Sequence, residues 1–225
     1  MADSEVVRAD EGEVYDIELD ENILKANREL AEKNRNLLKK NNVVAVDVMG
    51  SIGAGKTSLI ERLADHLSKR YRIAALKGDL TTTIDAEMIR RHGVEVVPIN
   101  TGKECHLDAN LVRKALKRLP LNKIDLLFIE NVGNLICPAE FPLGSEKRLV
   151  VISVTEGPYM VVKHPFIFLD AEVVAINKID LASAMGVEIK NLQADVKKIN
   201  PKSEVVFTNG RTGEGVNRIV EALGL

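Results

Sequence analysis

From residue 43 onward, short and nearly continuous apolar runs alternate with segments whose apolar residues recur at helical spacing. The runs 43–49, 73–78, 94–99, 124–130, 148–154, 172–177 and 203–208 are mostly Val, Ile and Leu. That composition predicts strands covered on both faces. Between them, 56–70, 84–92, 108–118, 187–199 and 214–223 predict helices, the third with Asp108 as N-cap. The alternation predicts an α/β fold, a doubly wound, mostly parallel sheet with helices on both faces. Upstream, Ile23, Leu24, Ala26, Leu30, Ala31, Leu37 and Leu38 predict a helix over 19–40 that Asn41-Asn42 close. Lys39 and Lys40 suit its last turn. Residues 1–18 are acidic and lack this periodicity, as a flexible arm would. The expected organisation is therefore an arm (1–18), an N-terminal helix (19–42) able to pack on the main domain or on a partner, and a main domain (43–225).

The length of 225 residues suits one α/β domain with a modest extension. A net charge of −2 makes no electrostatic case for nucleic acid or an anionic membrane. No apolar run approaches the roughly 20 residues that span a bilayer. The start Met1-Ala2-Asp3-Ser4-Glu5 is acidic, unlike a signal peptide, so a cytoplasmic location is expected. Cys105 and Cys137 are too few for a disulfide scaffold. They are metal or redox candidates, or else small buried hydrophobes.

In doubly wound sheets ligands bind outside the carboxyl ends of the strands. The first run leads into Gly50-Ser51-Ile52-Gly53-Ala54-Gly55-Lys56-Thr57, the G-x-x-x-x-G-K-[ST] phosphate loop between a strand and a helix. Gly50, Gly53 and Gly55 let the backbone turn tightly and bring N–H groups to phosphate oxygens. Gly50, Gly53, Ala54, Gly55, Lys56, Thr57 and Ser58 form the expected phosphate-binding set. Lys56 would reach the β- and γ-phosphates and Thr57 would ligate Mg²⁺. The helix that starts here adds the positive end of its dipole. The run 172–177 exits through Asn177-Lys178-Ile179-Asp180. Guanine offers two adjacent donors that one carboxylate, Asp180, can accept, whereas adenine would leave a buried carboxylate underbonded. The Lys178 stem would cover the base and Asn177 would tie the loops together. The last run ends in Phe207-Thr208-Asn209-Gly210, where backbone N–H groups near Asn209 would face guanine O6; an ordinary turn fits equally well.

The run 124–130 closes on Glu130, in the manner of a Walker B strand with Glu in place of Asp. Glu130 is a candidate to hold Mg²⁺ directly or through water, with the Gly133 N–H facing the γ-phosphate. Asp79 after the second run is either a second Mg²⁺-side carboxylate or a helix N-cap, and Thr81-Thr82-Thr83 follow as a switch segment. Cys105 and His106 follow the third run, and Cys137-Pro138 lies just past the Glu130 loop. Two thiolates and one imidazole suit Zn²⁺ or Ni²⁺. Three ligands do not close a structural site, so a water or a subunit interface would complete it. The alternative is that the cysteines are packing residues. His66, His92 and His164 lack a thiol neighbour and read as surface or packing residues.

The phosphate loop, Glu-x-x-Gly, Asn-Lys-x-Asp and Cys-His…Cys-Pro together closely resemble the hydrogenase nickel-incorporation GTPases, the HypB family. The stretches 101–109 and 128–138 are the most specific, and the similarity runs from about residue 20 to the C-terminus. The resemblance implies a cytosolic GTPase of the signal-recognition/MinD-like class that uses GTP/GDP and forms a GTP-dependent homodimer. It implies a Ni²⁺ or Zn²⁺ site at the dimer interface, built from Cys105, His106 and Cys137. It also implies nickel delivery to a [NiFe] hydrogenase large-subunit precursor alongside other maturation proteins. Lys56, Asp79 and Glu130 would then be the catalytic set, with Thr57, Asp79 and Glu130 around Mg²⁺. No Cys or His precedes His66, so the extra N-terminal nickel site of many members is not expected. No Gln or arginine finger stands out in the switch segments, which predicts slow turnover, about 10⁻⁴–10⁻² s⁻¹. A urease-type maturation GTPase would typically carry Cys-Pro-His. A small-molecule kinase would not need Asn-Lys-x-Asp. A zinc-binding scaffold would not hydrolyse GTP at all.

Overall fold

The computed structural model describes residues 17–79, 89–102 and 104–225, leaving out the side chains of 17–20 and 79. The seven apolar runs are the seven strands of one sheet: β1 (Val44–Gly50), β2 (Ile73–Asp79), β3 (Glu95–Asn100), β4 (Leu126–Glu130), β5 (Lys147–Ser153), β6 (Val173–Asn177) and β7 (Glu204–Phe207). Their order is β3-β2-β4-β1-β5-β6-β7, and every pair is parallel. The chain crosses from one half of the sheet to the other at β1, so the loop after β1 lies at the topological switch point.

Helices cover both faces. On one side α2 (Lys56–Leu67) and the C-terminal helix (Val216–Leu223) enclose a core with Val46, Val48, Leu59, Leu63, Phe128 and Ile219. Each such fully buried side chain contributes about 1.5–3 kcal/mol relative to exposure. On the other side, α1 (Ile17–Lys40) and α3 (Ala109–Leu116) cover β2–β4. The short helices α4 (Cys137–Glu140) and α5 (Met160–Lys163), with α6 (Ile189–Ile199), lie over β5 and β6; the C-terminal helix is α7. Neither four-residue helix has enough residues to show a periodic signal, so the apolar spacing did not predict them.

Most boundaries differ from the expected ones by one or two residues. The first main-domain helix ends at Leu67 instead of residue 70. No Gly or Pro marks the stop; Arg70 and Tyr71 donate back to the Leu67 carbonyl as the chain turns into β2. The Thr81–Thr83 segment and residues 84–88 of the expected helix 84–92 lie outside the described residues; of the rest, Ile89 and Arg90 are helical and Arg91 and His92 form a turn. The 1–18 arm also falls outside, except that α1 already begins at Ile17.

α1 ends where Asn41-Asn42 require. Asn42 takes the left-handed conformation (φ 55°), Val43 N–H donates to Leu38 O and Asn42 N–H to Lys39 O, a Schellman closure. Two buried asparagines dock α1 on the main domain. Asn27 Oδ1 accepts from Ala109 N (2.7 Å) and its amide donates to Pro142 O (2.9 Å). The Asn34 amide donates to Ala109 O (2.8 Å) and Leu143 O (3.1 Å). α1 therefore buttresses the start of α3, just after His106. Among the described residues no helix is long and apolar enough to cross a membrane.

Candidate functional site

The carboxyl ends of the strands carry two clusters joined by one loop. The first surrounds the phosphate loop. Gly50 (φ 143°) could carry no side chain: a Cβ would lie 2.0 Å from Val151 O, where β1 and β5 touch. Gly55 is the left-handed N-cap of α2, and a Cβ there would meet Asn177 Nδ2 at 2.2 Å. The α2 N-terminus thus stays open to an anion. Lys56 is buried and donates to the carbonyls of Gly50 (3.1 Å) and Ser51 (2.8 Å), spanning the loop.

A cavity of about 540 Å³ continues from this loop. Its lining includes Gly55, Ser58, Asn177, Lys178, Asp180 and Asn209, and its size suits a nucleotide. Asn177 is 2% exposed and does the tying that its position suggests. Its amide donates to Ala54 O (2.8 Å), and its Oδ1 accepts from Gly210 N (2.9 Å) and Thr208 Oγ1 (3.2 Å). Lys178 holds a left-handed backbone (φ 60°), uncommon for a residue with a side chain. Asp180 is exposed at the cavity mouth, so discrimination by a buried carboxylate requires the base itself to cover it. Asn209 departs from its expected role. Its N–H donates to Glu214 O (3.0 Å), and its Oδ1 accepts from Arg211 N (3.0 Å) and Thr212 N (3.3 Å). These bonds shape the turn and use its N–H, which is therefore not the donor for guanine O6. His92 lies at the cavity rim, with Nδ1 2.5 Å from Asp65 Oδ1.

Beside the phosphate loop, Thr57 Oγ1 donates to Glu130 Oε1 (2.8 Å). Lys77, which sequence reasoning missed, enters the same spot from β2. Its buried ammonium lies 2.5 Å from Glu130 Oε1 and 3.3 Å from Thr57 Oγ1. A lysine in an apolar strand reads as a solvent-facing interruption; only the β2–β4 register, Lys77 opposite Glu130, brings the two charges together. Glu130 is 1% exposed and its Oε2 is buried with no partner among the described residues. The Thr57 hydroxyl and the Glu130 carboxylate, with its orphaned Oε2, fit a hard divalent cation. Asp79 ends β2, but its side chain lies outside the described residues.

The second cluster lies past β3 and β4. Cys105, His106 and Cys137 bring their ligand atoms within 4.8 Å of one another. The two thiols touch (Sγ–Sγ 3.0 Å) and form no disulfide. Contact with Cys137, and then burial, hold the Cys105 thiol above its ordinary range. Burial lowers the His106 pKa and favours the neutral ring a metal needs, against the acidic Glu104, Asp108 and Glu140. Its ring stacks on Phe141 at 3.9 Å. Asp108 caps α3 as expected, accepting from Leu111 N (2.7 Å). Asp47 on β1, between β4 and β5, is fully buried and pushed up to about 7 by burial. The Arg148 charge and then the Asn131 amide oppose that rise, without a well-formed hydrogen bond to its oxygens.

The chain is similar to known proteins over most of its length. The family model described as CobW/HypB/UreG, nucleotide-binding domain, matches residues 44–207. The "Probable hydrogenase maturation factor HypB" of Methanocaldococcus jannaschii is 56% identical over 205 residues, covering 91% of this chain and 93% of the relative. The crystal structure of HypB from Archaeoglobus fulgidus superposes with a TM-score of 0.83 at 45% identity, covering 89% of this chain and 98% of that one. HypB from Helicobacter pylori in complex with nickel gives a TM-score of 0.82 at 32% identity, with coverages of 87% and 92%.

Proposed function

The chain belongs to the HypB branch of the CobW/HypB/UreG nucleotide-binding family, and from that premise we propose that it is a GTP-hydrolysing metallochaperone that binds nickel or zinc and assists nickel insertion into a [NiFe] hydrogenase precursor in the cytoplasm. The observation that carries this reading is the pairing of a phosphate loop with a Cys105–His106–Cys137 cluster on one edge of one sheet.

The chain's own residues divide the work. The backbone of Gly50–Gly55 and Lys56 would hold the phosphates, and Asn177 holds the base loop against the phosphate loop. Asp180 would accept the two guanine donors, with the Lys178 stem over the ring. Thr57 and Glu130 would hold Mg²⁺, which when bound neutralises charge on the β- and γ-phosphates. The Lys77 ammonium, which lies against both side chains, would have to give way to that ion. Cys105 and Cys137 would bind the cargo ion as thiolates, giving up their protons, with neutral His106 as the third ligand.

Three ligands leave room for a donor from a second copy of the chain. The surface beside them supports a homodimer, since Ile136 (58% exposed) and Phe166 (69% exposed) present large apolar side chains to solvent. GTP would favour one arrangement of the Glu130–Asn134 loop and GDP another. Metal and nucleotide affinities would then be coupled reciprocally.

The test is nickel binding with GDP and with a non-hydrolysable GTP analogue, on wild type and Asp180→Ala. The wild type should show two different nickel affinities and prefer GTP to ATP. Asp180→Ala should lose about 10²–10⁴-fold in GTP affinity, the loss of two charge-assisted hydrogen bonds. Equal nickel affinity in both nucleotide states would overturn the chaperone reading, and an unchanged guanine preference in Asp180→Ala would overturn the base assignment.

A further inference from the structure

The loop between Glu130 and Cys137 touches both clusters, and its contacts are unevenly distributed. At one end, Asn131 is buried and fixed. Its N–H donates to Val48 O (3.0 Å), and its Oδ1 accepts from Leu107 N and Val132 N, both at 3.0 Å. It staples the segment after His106 to the end of β4 without touching the phosphate loop beyond β1. Three residues later the loop leans on the phosphate loop itself. Gly133 packs so closely that a Cβ would lie 2.8 Å from both Ile52 N and Ile52 Cα. Asn134 N–H donates to Gly50 O (3.1 Å).

From that position the Asn134 side chain reaches both cysteine-bearing segments. Its amide donates to the Cys105 carbonyl (3.3 Å), and its Oδ1 accepts from Ile136 N (3.0 Å), the residue preceding Cys137. One residue thus bonds to the phosphate loop through its backbone and to each thiol-bearing segment through its side chain. The side chain must be short, with a donor and an acceptor together. Asp lacks the donor, Ala lacks both, and Gln is one methylene too long for two turns this tight.

Building on the reading above, we infer that Asn134 is the positioning residue that converts the state of the phosphate loop into the spacing of the Cys105 and Cys137 sulfurs. Asn131 is the fixed end and Asn134 the moving end. A shift of the Gly50–Ile52 backbone on phosphate binding carries Gly133 and Asn134 with it, because the contact leaves no slack. Asn134 then pulls on the Cys105 carbonyl and the Ile136 N–H together. Two thiols in contact at 3.0 Å sit closer than the separation of two ligands on one tetrahedral ion, so the sulfurs must separate to take a metal, and the spacing of the two segments sets how readily they do.

The test is the ratio of Ni²⁺ dissociation constants with GDP and with a GTP analogue, by chelator competition, for wild type, Asn134→Ala and Asn134→Asp. A second readout without metal is the alkylation rate of Cys105 and Cys137 in the same two nucleotide states. The wild-type ratio should lie in the range typical of allosteric coupling, about 5–150-fold. Asn134→Ala should lower it by roughly 2–30-fold. Asn134→Asp, which keeps the Ile136 bond and loses the Cys105 bond, should fall between them, and the nucleotide effect on alkylation should shrink in the same order. A purely structural role would weaken both nucleotide states equally and leave the ratio intact. A wild-type ratio with both variants unchanged overturns this assignment alone. A wild-type ratio of one overturns the coupling reading and this assignment with it.

Discussion

The two ends of the site are built to different standards. At the base end, Asn177 is buried and makes three side-chain hydrogen bonds that lock β6, the phosphate loop and the last turn together. Asn209 adds further bonds within that turn, through its N–H, its carbonyl and its Oδ1. At the metal end, Cys105 is exposed, Cys137 is half-buried, and their contact with each other is the main one that either thiol makes. A nucleotide pocket gains from preorganisation, because rigidity set at folding is not lost again on binding. A site that released its ion would instead need freedom at its ligand atoms, and the two sulfurs make few contacts besides each other. The lesson is that rigidity and freedom sit at opposite ends of the same sheet edge.

The contrast can be broken most severely at the base end. Asn177→Ala would leave Ala54 O and Gly210 N without their partner inside a buried junction. The expected cost is about 2–5 kcal/mol of unfolding free energy, read by denaturant titration, with GTP affinity falling in parallel. A loss under about 1 kcal/mol would show that the base end is no more rigid than the metal end.

The buried carboxyl of β1, between the two ends, gives the next largest effect, and it depends on pH. Asp47 has its native pKa raised by burial to about 7, above its ordinary 3.8. Between those values the native state keeps a proton that the unfolded state has lost, so stability falls as pH rises through the window. This group's share of that fall is up to about 4 kcal/mol. Asp47→Asn should remove it, so that the variant gains on wild type steadily from pH 4 to pH 7 and the gap then levels off. Parallel stability curves for the two proteins would contradict this account.

The mildest substitution for the fold should be the most damaging for cargo. Cys105→Ala removes an exposed side chain and should change stability by no more than about 0.5 kcal/mol. Nickel affinity should nevertheless drop more than about 100-fold, beyond what losing an outer-shell partner costs. A large stability loss here would mean that the metal end is part of the core after all.

Much of this was legible along the chain. The seven strands, the switch-point phosphate loop, the helix closed by Asn41-Asn42 and the cap at Asp108 all follow from local spacing and from what each residue type does to its neighbours. Three things were not legible. Asn209 looks like a base contact because it follows a strand, but its N–H is taken by Glu214, a bond that depends on how the turn folds back. Lys77 looks like a surface residue in an apolar run, yet it is buried against Glu130. α4 and α5 are too short to leave a periodic trace, although α4 sets the position of Cys137.

The division has a physical basis. A phosphate loop, a capping asparagine or a cluster of donor atoms is chemistry within a few residues, so covalent geometry and side-chain type specify it locally. The sequence by itself therefore determined a phosphate-loop motif between a strand and a helix, an Asn-Lys-x-Asp strand exit and a set of thiol and imidazole donors. Which of these groups meet is a matter of strand order. The arrangement β3-β2-β4-β1 places Lys77 opposite Glu130, brings Cys105 to Cys137 across 32 residues, and seats Asn134 on Gly50. No local rule sets that order; burying two faces of one sheet does. The tertiary structure alone decided that Cys105 meets Cys137 and that the loop after Glu130 leans on the phosphate loop.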